Sequence, residues 1–267
     1  MKERLDVLLV KKGFFDSREK AKRAIMAGLV LIGTERYDKA GTMVPEDSDI
    51  TVKGDTCPYV SRGGLKLEKS IKTWELDLNG FTCMDIGSST GGFTDCMLQN
   101  GAVKVYALDV GTNQLAYSLR VDPRVVVMEK TNIRDLDTDT FEKLDFISID
   151  VSFISLNLVL PVASRLLKEG GQLVALVKPQ FEAGREKVGK GGIVRDKSVH
   201  REVIENVIKY AESAGLTPSG LSFSPITGAK GNIEYLMYMR KTSWESSLIG
   251  PEEVKKTVDN SHGELDK

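Results

Sequence analysis

No stretch of the 267-residue chain approaches the ~20 consecutive apolar residues that a membrane-spanning helix requires. The opening Met1-Lys-Glu-Arg-Leu-Asp6 also lacks the apolar stretch of a secretory signal, so a cytoplasmic protein without membrane attachment is expected. Cysteine is scarce. Cys57, Cys83 and Cys96 form no C-x-x-C and, being three, cannot all pair. They are expected to stay reduced, with no metal site. An excess of charge is missing too: 37 basic against 38 acidic residues leave a net charge of -1. Any nucleic-acid surface therefore has to be local. Internal repeats are absent. What remains, 41% hydrophobic and 28% charged residues, is ordinary globular composition, with chain enough for one large domain and a smaller one.

The most informative segment is Asp85-Ile-Gly-Ser-Ser-Thr-Gly-Gly-Phe-Thr-Asp95, set between an apolar strand candidate and a helical pattern. Gly87 lets the chain turn sharply at the strand end, and Gly91 and Gly92 are expected to let backbone approach a ligand and helix pack on strand. Ser89 stands where the second glycine of G-x-G-x-x-G would clear room for a pyrophosphate. Its presence argues against a dinucleotide and towards S-adenosylmethionine. Asp85, Gly87, Ser88, Ser89, Thr90, Gly91, Gly92 and Phe93 are the cofactor-binding candidates on this turn. The alternative is a tight strand-to-helix connection that binds nothing.

Residues 1–57 read as a small α+β module. Leu5, Leu8, Leu9 and Val10 mark one amphipathic helix. Asp16 or Ser17 caps a second, which Gly28 ends, and short β-rich runs follow. Lys11, Lys12, Arg18, Lys20, Lys22 and Arg23 crowd the helical half, while Glu46, Asp47 and Asp49 lie in the β half. A basic face opposite an acidic one suits RNA phosphates; a solvated lysine-rich helix is the plainer reading. Residues 58–61 form a linker. Residues 62–241 then alternate strands (Thr82–Ile86, Lys104–Asp109, Val125–Met128, Asp145–Asp150, Gln172–Val177, Thr217–Phe223, Ile233–Met239) with helices. This predicts an α/β, Rossmann-like fold with a seven-stranded, mostly parallel sheet. The connection holding Pro225 and Gly228 is too short for a crossover helix and implies an antiparallel terminal hairpin. Residues 242–267 read as a polar tail, disordered at its end. Asp85, Asp109 and Asp150 fall at or near carboxyl ends of strands, where such sheets bind ligands. An acid at the end of the Lys104–Asp109 strand suits a ribose diol, which makes Asp109 a cofactor candidate. Asp135 is a weaker candidate for adenine or a loop cap, and His200 reads as a surface residue.

Several ordered motifs resemble a known family. Arg4-Leu-Asp-Val-Leu-Leu-Val10 and Ser17-Arg-Glu-Lys-Ala21 are similar to the αL RNA-binding motif first named from a small-subunit ribosomal protein. Ser61-Arg-Gly-Gly-Leu-Lys-Leu67, the Asp85–Asp95 turn and Asp150-Val-Ser-Phe-Ile-Ser-Leu156 resemble the TlyA family of rRNA methyltransferases. So do Leu176-Val-Lys-Pro-Gln-Phe-Glu182, Gly189-Lys-Gly-Gly-Ile-Val-Arg195 and Gly231-Asn-Ile-Glu234. The resemblance implies S-adenosylmethionine-dependent methylation of a cytidine ribose 2′-hydroxyl in rRNA, on a fold similar to FtsJ-type methyltransferases. It implies rRNA or ribosomal subunits as partners, met by Arg4, Lys11, Lys12, Arg18, Lys20, Lys22, Arg23 and Arg62. Lys178 matches the family's catalytic lysine, Lys66 its other lysine, and Asp150 and Glu234 its two carboxylates. Two departures stand out. Thr112 and Asn113 follow Asp109-Val-Gly111 where the family usually has tyrosine and glycine, and Cys57-Pro-Tyr-Val60 lacks the family's arginine and tryptophan.

An unperturbed lysine titrates near about 10.4, so a general base near neutrality requires depression, for which a second cation such as Lys66 is the expected source. A non-catalytic RNA-binding assembly factor is the competing class, which retention of all four positions disfavours. A membrane-lytic hemolysin lacks a segment able to span a bilayer, and a nicotinamide dehydrogenase conflicts with Ser89 and the terminal hairpin.

Overall fold

Residues three and four apart on a helix lie over one another, and that spacing builds the core of the N-terminal part of the chain. The structure, a computed structural model, describes residues 2–15, 17–26, 28–53, 57–228, 230–242 and 246–266. It divides into two units, Met1–Val60 and Ser61–Lys267. The first runs β1 (Lys2–Arg4), α1 (Leu5–Lys11), α2 (Arg18–Met26), β2 (Val30–Ile32), β3 (Glu35–Tyr37), β4 (Met43–Pro45) and β5 (Ile50–Val52). Leu5, Leu8 and Leu9 of α1 close on Ala21, Ala24 and Ile25 of α2, with Val30, Val44 and Ile50 beneath them. Asp16 lies outside the described residues. Ser17 Oγ accepts the Lys20 N–H at 3.3 Å, one turn into α2.

Asp6 is fully buried in this unit. Arg4 donates to both of its oxygens at 3.0 and 3.1 Å, and Arg18 donates to Oδ2 at 3.0 Å. Burial pushes the carboxyl up, but hydrogen bonds and charge from the two arginines outweigh it and hold it at about 2. The basic and acidic halves are not fully separate. Lys11 lies 3.4 Å from Glu46, Lys12 donates to the Ser48 carbonyl at 2.8 Å, and Lys22 pairs with Glu19 at 2.9 Å. The β half folds back beside α1, so opposite charges meet instead of facing apart.

The second unit contains α3 (Gly63–Thr73), β6 (Thr82–Ile86), α4 (Gly92–Gln99), β7 (Lys104–Leu108), α5 (Tyr117–Arg120), β8 (Val125–Met128), β9 (Leu144–Ile149), α6 (Leu156–Leu166), β10 (Leu167–Val177), α7 (Pro179–Glu182), α8 (Lys197–Ser213), β11 (Thr217–Phe223), β12 (Tyr235–Arg240) and α9 (Pro251–Leu265). The seven strands follow the order β11-β12-β10-β9-β6-β7-β8. All pairings are parallel except those of β12, which is antiparallel to β10 and to β11. Strands β6 and β9 are buried on both faces along most of their length, and apolar residues predominate there, with Asp85 and Ser148 as buried polar residues that hydrogen-bond one another. After β6 the chain builds outward through β7 and β8, then returns to β9 on the other side. That reversal opens a crevice beyond the ends of β6 and β9. Strands β7 and β9 stop one residue short of the expected ends, which leaves Asp109 and Asp150 just past the ladder with carboxylates free to face the crevice.

The region read as a polar tail contains a helix, α9. In α9, Val254, Thr257, Val258, Ser261 and His262 bury one face, with helical spacing, against α8 and β11. Three of those five residues are polar, so the stripe escapes a search for apolar periodicity. His200 is likewise buried, because α9 roofs the face of α8 that carries it. Its Nε2 lies 3.0 Å from the Val194 carbonyl, and its Nδ1 lies 2.7 Å from the Tyr235 hydroxyl and 3.3 Å from His262 Nε2. Burial pushes the His200 imidazole down, against the pull of the Val194 carbonyl. Val258 is fully buried, so Val258→Ala should destabilise the protein by about 2 kcal/mol in urea unfolding. An unchanged midpoint would mean that α9 is not part of the core.

Candidate active site

Gly87, at the end of β6, has φ +87° and runs so close to the backbone after β9 that a Cβ would stand 2.5 Å from the Asp150 carbonyl oxygen. Only glycine fits there, and the close pass sets the two strand ends side by side. Gly91 (φ +95°) and Gly92 serve close packing within the protein, and Gly92 also borders a small pocket under the turn. A Cβ at Gly91 would collide with Leu115 and Leu119, and one at Gly92 would stand 2.8 Å from the Gly64 amide. These glycines press protein against protein; Gly92 in particular lets α4 touch α3, the helix that carries Lys66. Asp85 borders the same small pocket, of about 120 Å³, with Ser61, Ser88 and Gly92. Fully buried, it accepts the Thr94 amide (2.9 Å) and hydroxyl (2.7 Å) on one oxygen and the Ser148 hydroxyl (3.2 Å) on the other. It thereby caps the start of α4 from the end of β6. Ser88 and Phe93 are buried under the turn, while Ser89 and Thr90 stand exposed on its rim.

A cleft of about 370 Å³ lies beyond β6, β7 and β9, bordered by Ser89, Asp109, Val110, Asn132, Ile133 and the Asp150–Ile154 segment. Asp109 accepts the Ser89 amide on Oδ2 (2.8 Å) and the Gly111 amide on Oδ1 (2.7 Å). A carboxylate has about four lone-pair sites, so both oxygens keep acceptor capacity towards a ligand's hydroxyls. Val110 and Ile133 offer apolar walls. Asp135 is exposed and does not line this cleft, where Asn132 and Ile133 take the lining positions instead. Asn113 holds φ +54°, a left-handed conformation that asparagine tolerates better than most residues. It can thus serve where the family usually has glycine.

Next to this cleft a second pocket, about 490 Å³, gathers Lys66, Asp150, Lys178 and Glu234. Lys66 Nζ lies 2.7 Å from Glu234 Oε2 and 3.7 Å from Asp150 Oδ2, and Lys178 Nζ lies 2.5 Å from Asp150 Oδ1. Lys66, Lys178 and Glu234 are buried. Burial pulls the Lys66 ammonium down, yet Asp150 and Glu234 together raise it above the ordinary lysine value. Lys66 is therefore held as a cation. Two further residues had no separate signal in the sequence. Ser152 accepts from Lys178 at 3.2 Å, and Gln180 donates to Glu234 at 3.4 Å. Both sit inside motifs already singled out, but which polar side chain of a motif turns inward is set by the fold. Arg62 is exposed just ahead of α3, and Arg4, Lys11, Lys12, Arg18, Lys20 and Arg23 are exposed in the N-terminal unit, with Lys22 half-buried.

Burial pushes Asp85 up to about 7, and the nearby Asp150 charge adds to this, against hydrogen bonds from Thr94 and Ser148. The unfolded chain releases this proton near about 3.9. Between those values the folded protein binds a proton that the unfolded chain does not, so this group's contribution to stability is lost as pH rises towards 7 and beyond. Asp85→Asn keeps an acceptor for Thr94 and removes the titration. Its urea midpoint relative to wild type should rise between pH 5 and pH 8, and a constant difference would refute the assignment.

Comparison with known proteins agrees with this geometry. The FtsJ-like methyltransferase family matches residues 59–241, and the S4 domain matches residues 3–50. A Bacillus subtilis (strain 168) protein designated as an rRNA methyltransferase, YqxC, is 54% identical over 268 residues, covering 99% of this chain and 95% of its own. The 16S/23S rRNA (cytidine-2′-O)-methyltransferase TlyA of Mycobacterium tuberculosis is 41% identical over 239 residues, 89% of each chain. A solved structure from Streptococcus thermophilus, carrying a hemolysin designation, superposes with a TM-score of 0.80 at 51% identity, covering 99% of this chain and 97% of that one. Among the described residues no helix is long and apolar enough to cross a membrane. The chain belongs to the TlyA family, FtsJ-like methyltransferases that carry an S4 domain at the N-terminal end.

Proposed function

We propose that this protein transfers a methyl group from S-adenosylmethionine to the ribose 2′-hydroxyl of a cytidine in rRNA. The observation that carries the reading is the convergence of two buried lysines on Asp150 within a pocket that adjoins the Asp109 cleft. Asp109 would hold the nucleoside ribose, Val110 and Ile133 would flank the base, and the rim formed by Ser89 and Gly87 would face the sulfonium end. Bound there, S-adenosylmethionine supplies a methyl group on a positively charged sulfur, open to attack from the neighbouring pocket.

Lys178 is placed to take the proton of the attacking hydroxyl, provided it enters the step as a neutral amine. Asp150 orients that amine and takes up its charge once the proton arrives. Lys66 is a different kind of group. Held as an ammonium by Glu234 and Asp150, it keeps Asp150 from being an isolated buried charge. Alignment of hydroxyl and methyl by these fixed side chains contributes up to roughly 10 kcal/mol in well-oriented systems. In the N-terminal unit Arg4, Lys11, Lys12, Arg18, Lys20, Lys22 and Arg23, and beyond it Arg62, would contact RNA phosphates. Arg4 and Arg18 have a second duty there, since they also neutralise Asp6.

Lys178→Ala should reduce single-turnover methyl transfer to rRNA by at least about 10²-fold at saturating cofactor, while leaving cofactor affinity close to wild type. Lys178→Arg should fail as well, because a guanidinium keeps its proton. Near-normal transfer by Lys178→Arg would reduce the role of this side chain to charge and position.

A further inference from the structure

A third lysine lines the tetrad pocket and takes no part in the tetrad. Lys230, in the connection between β11 and β12, is exposed on the pocket wall. Its side chain runs along Gly192, where a Cβ would stand 3.6 Å from Nζ and 3.9 Å from Cδ. Lys66 and Lys178 are balanced by Asp150 and Glu234. Among the described residues Lys230 has no ion pair or side-chain hydrogen bond. Among the described lining residues Lys230 is therefore the lysine left without a carboxylate partner.

The wall that presents this charge is fixed. Asn232, almost fully buried, accepts the Val194 amide at 3.1 Å and donates to the Gly192 carbonyl at 2.9 Å. The Gly228 amide donates to the Asn232 carbonyl at 2.9 Å, and the Gly231 amide donates to the Gly228 carbonyl at 2.8 Å. Asn232 thus clamps the Gly189–Arg195 loop to the connection holding Lys230, two residues before Glu234. The backbone at Gly228, Gly231 and Asn232, around Lys230, is tied to the pocket wall that also carries Glu234.

We propose that Lys230 binds the phosphodiester next to the acceptor ribose and so positions the RNA strand for transfer. This rests on the methyl-transfer reading above. In RNA the 2′-hydroxyl and the 3′-phosphate leave adjacent ribose carbons, so a pocket that seats the hydroxyl at Lys178 brings a phosphate to its wall. A lysine ammonium pairs with such a phosphate as a point charge, with no base preference.

The test is single-turnover methyl transfer to isolated ribosomal subunits and to deproteinised rRNA, with RNA concentration and salt varied. One lost contact to an unpaired strand lowers the salt slope by about 0.7, which near 0.1 M salt corresponds to a roughly fivefold higher half-saturating RNA concentration. Lys230→Ala should show both changes, with a saturated rate reduced by less than the half-saturating concentration is raised. Lys230→Arg should restore the midpoint and the slope. A Lys230→Ala variant with unchanged midpoint and slope overturns the proposal, as does a loss confined to the saturated rate that Arg does not rescue. Wild-type protein that methylates neither form of RNA overturns the functional reading and this proposal with it. Normal wild-type transfer with an indifferent variant removes only the phosphate contact.

Discussion

Asp150 lies between two lysine side chains, and the geometry of the site depends on keeping it there. Its carboxylate reaches Lys178 on one oxygen and Lys66 on the other. Its backbone is fixed independently: the Asp150 amide donates to the Ile86 carbonyl at 2.9 Å, and Gly87 passes against the Asp150 carbonyl. A buried carboxylate without partners would cost several kcal/mol, and two buried ammonium groups without carboxylates would cost more. The four charges are therefore stable only as a set. Each comes from a different element: α3 brings Lys66, the ends of β9 and β10 bring Asp150 and Lys178, and the approach to β12 brings Glu234.

The supports of this set are mostly protein–protein contacts of the Gly-rich turn. Asp85 ties the start of α4 to β6, and Gly92 lets α4 lie against α3. Moving α4 would move α3 and, with it, Lys66. The turn is in this respect a mounting for the site as much as a seat for a cofactor. On the other flank, the antiparallel β12 places Glu234 at the same edge as the parallel strands. His200, Tyr235, Ser261 and His262 fix the layer behind it, where α9 covers α8.

The N-terminal unit solves the same problem at smaller scale. Asp6 is a buried carboxylate satisfied by two arginines that are themselves about half exposed. Its charge is compensated within the unit, and the guanidiniums keep part of their surface towards solvent. The basic character that looked like a separate face is interleaved with acids, so phosphate contact there would compete with weak surface pairs, which contribute little to stability.

The sequence by itself determined the class of fold and the identity of the tetrad. Parallel strands buried on both faces read as apolar runs, helices between them as periodic stripes, and the short connection around Pro225 as a hairpin. The four charged residues were legible because each sits in a motif resembling one family. Local pattern did not extend to α9, whose buried face is largely polar, or to His200, which is buried only because that helix covers it. It did not show that Asp85 holds the start of α4 or that Asp135 lies outside the cleft lining, since a carboxylate near a strand end can face a ligand, a helix start or solvent. It could not supply the Lys66–Glu234 contact, made by residues 168 positions apart. Periodicity is a property of neighbours in sequence, whereas partners, burial and charge compensation belong to neighbours in space. Those were decided only when the sheet brought the four elements to one edge.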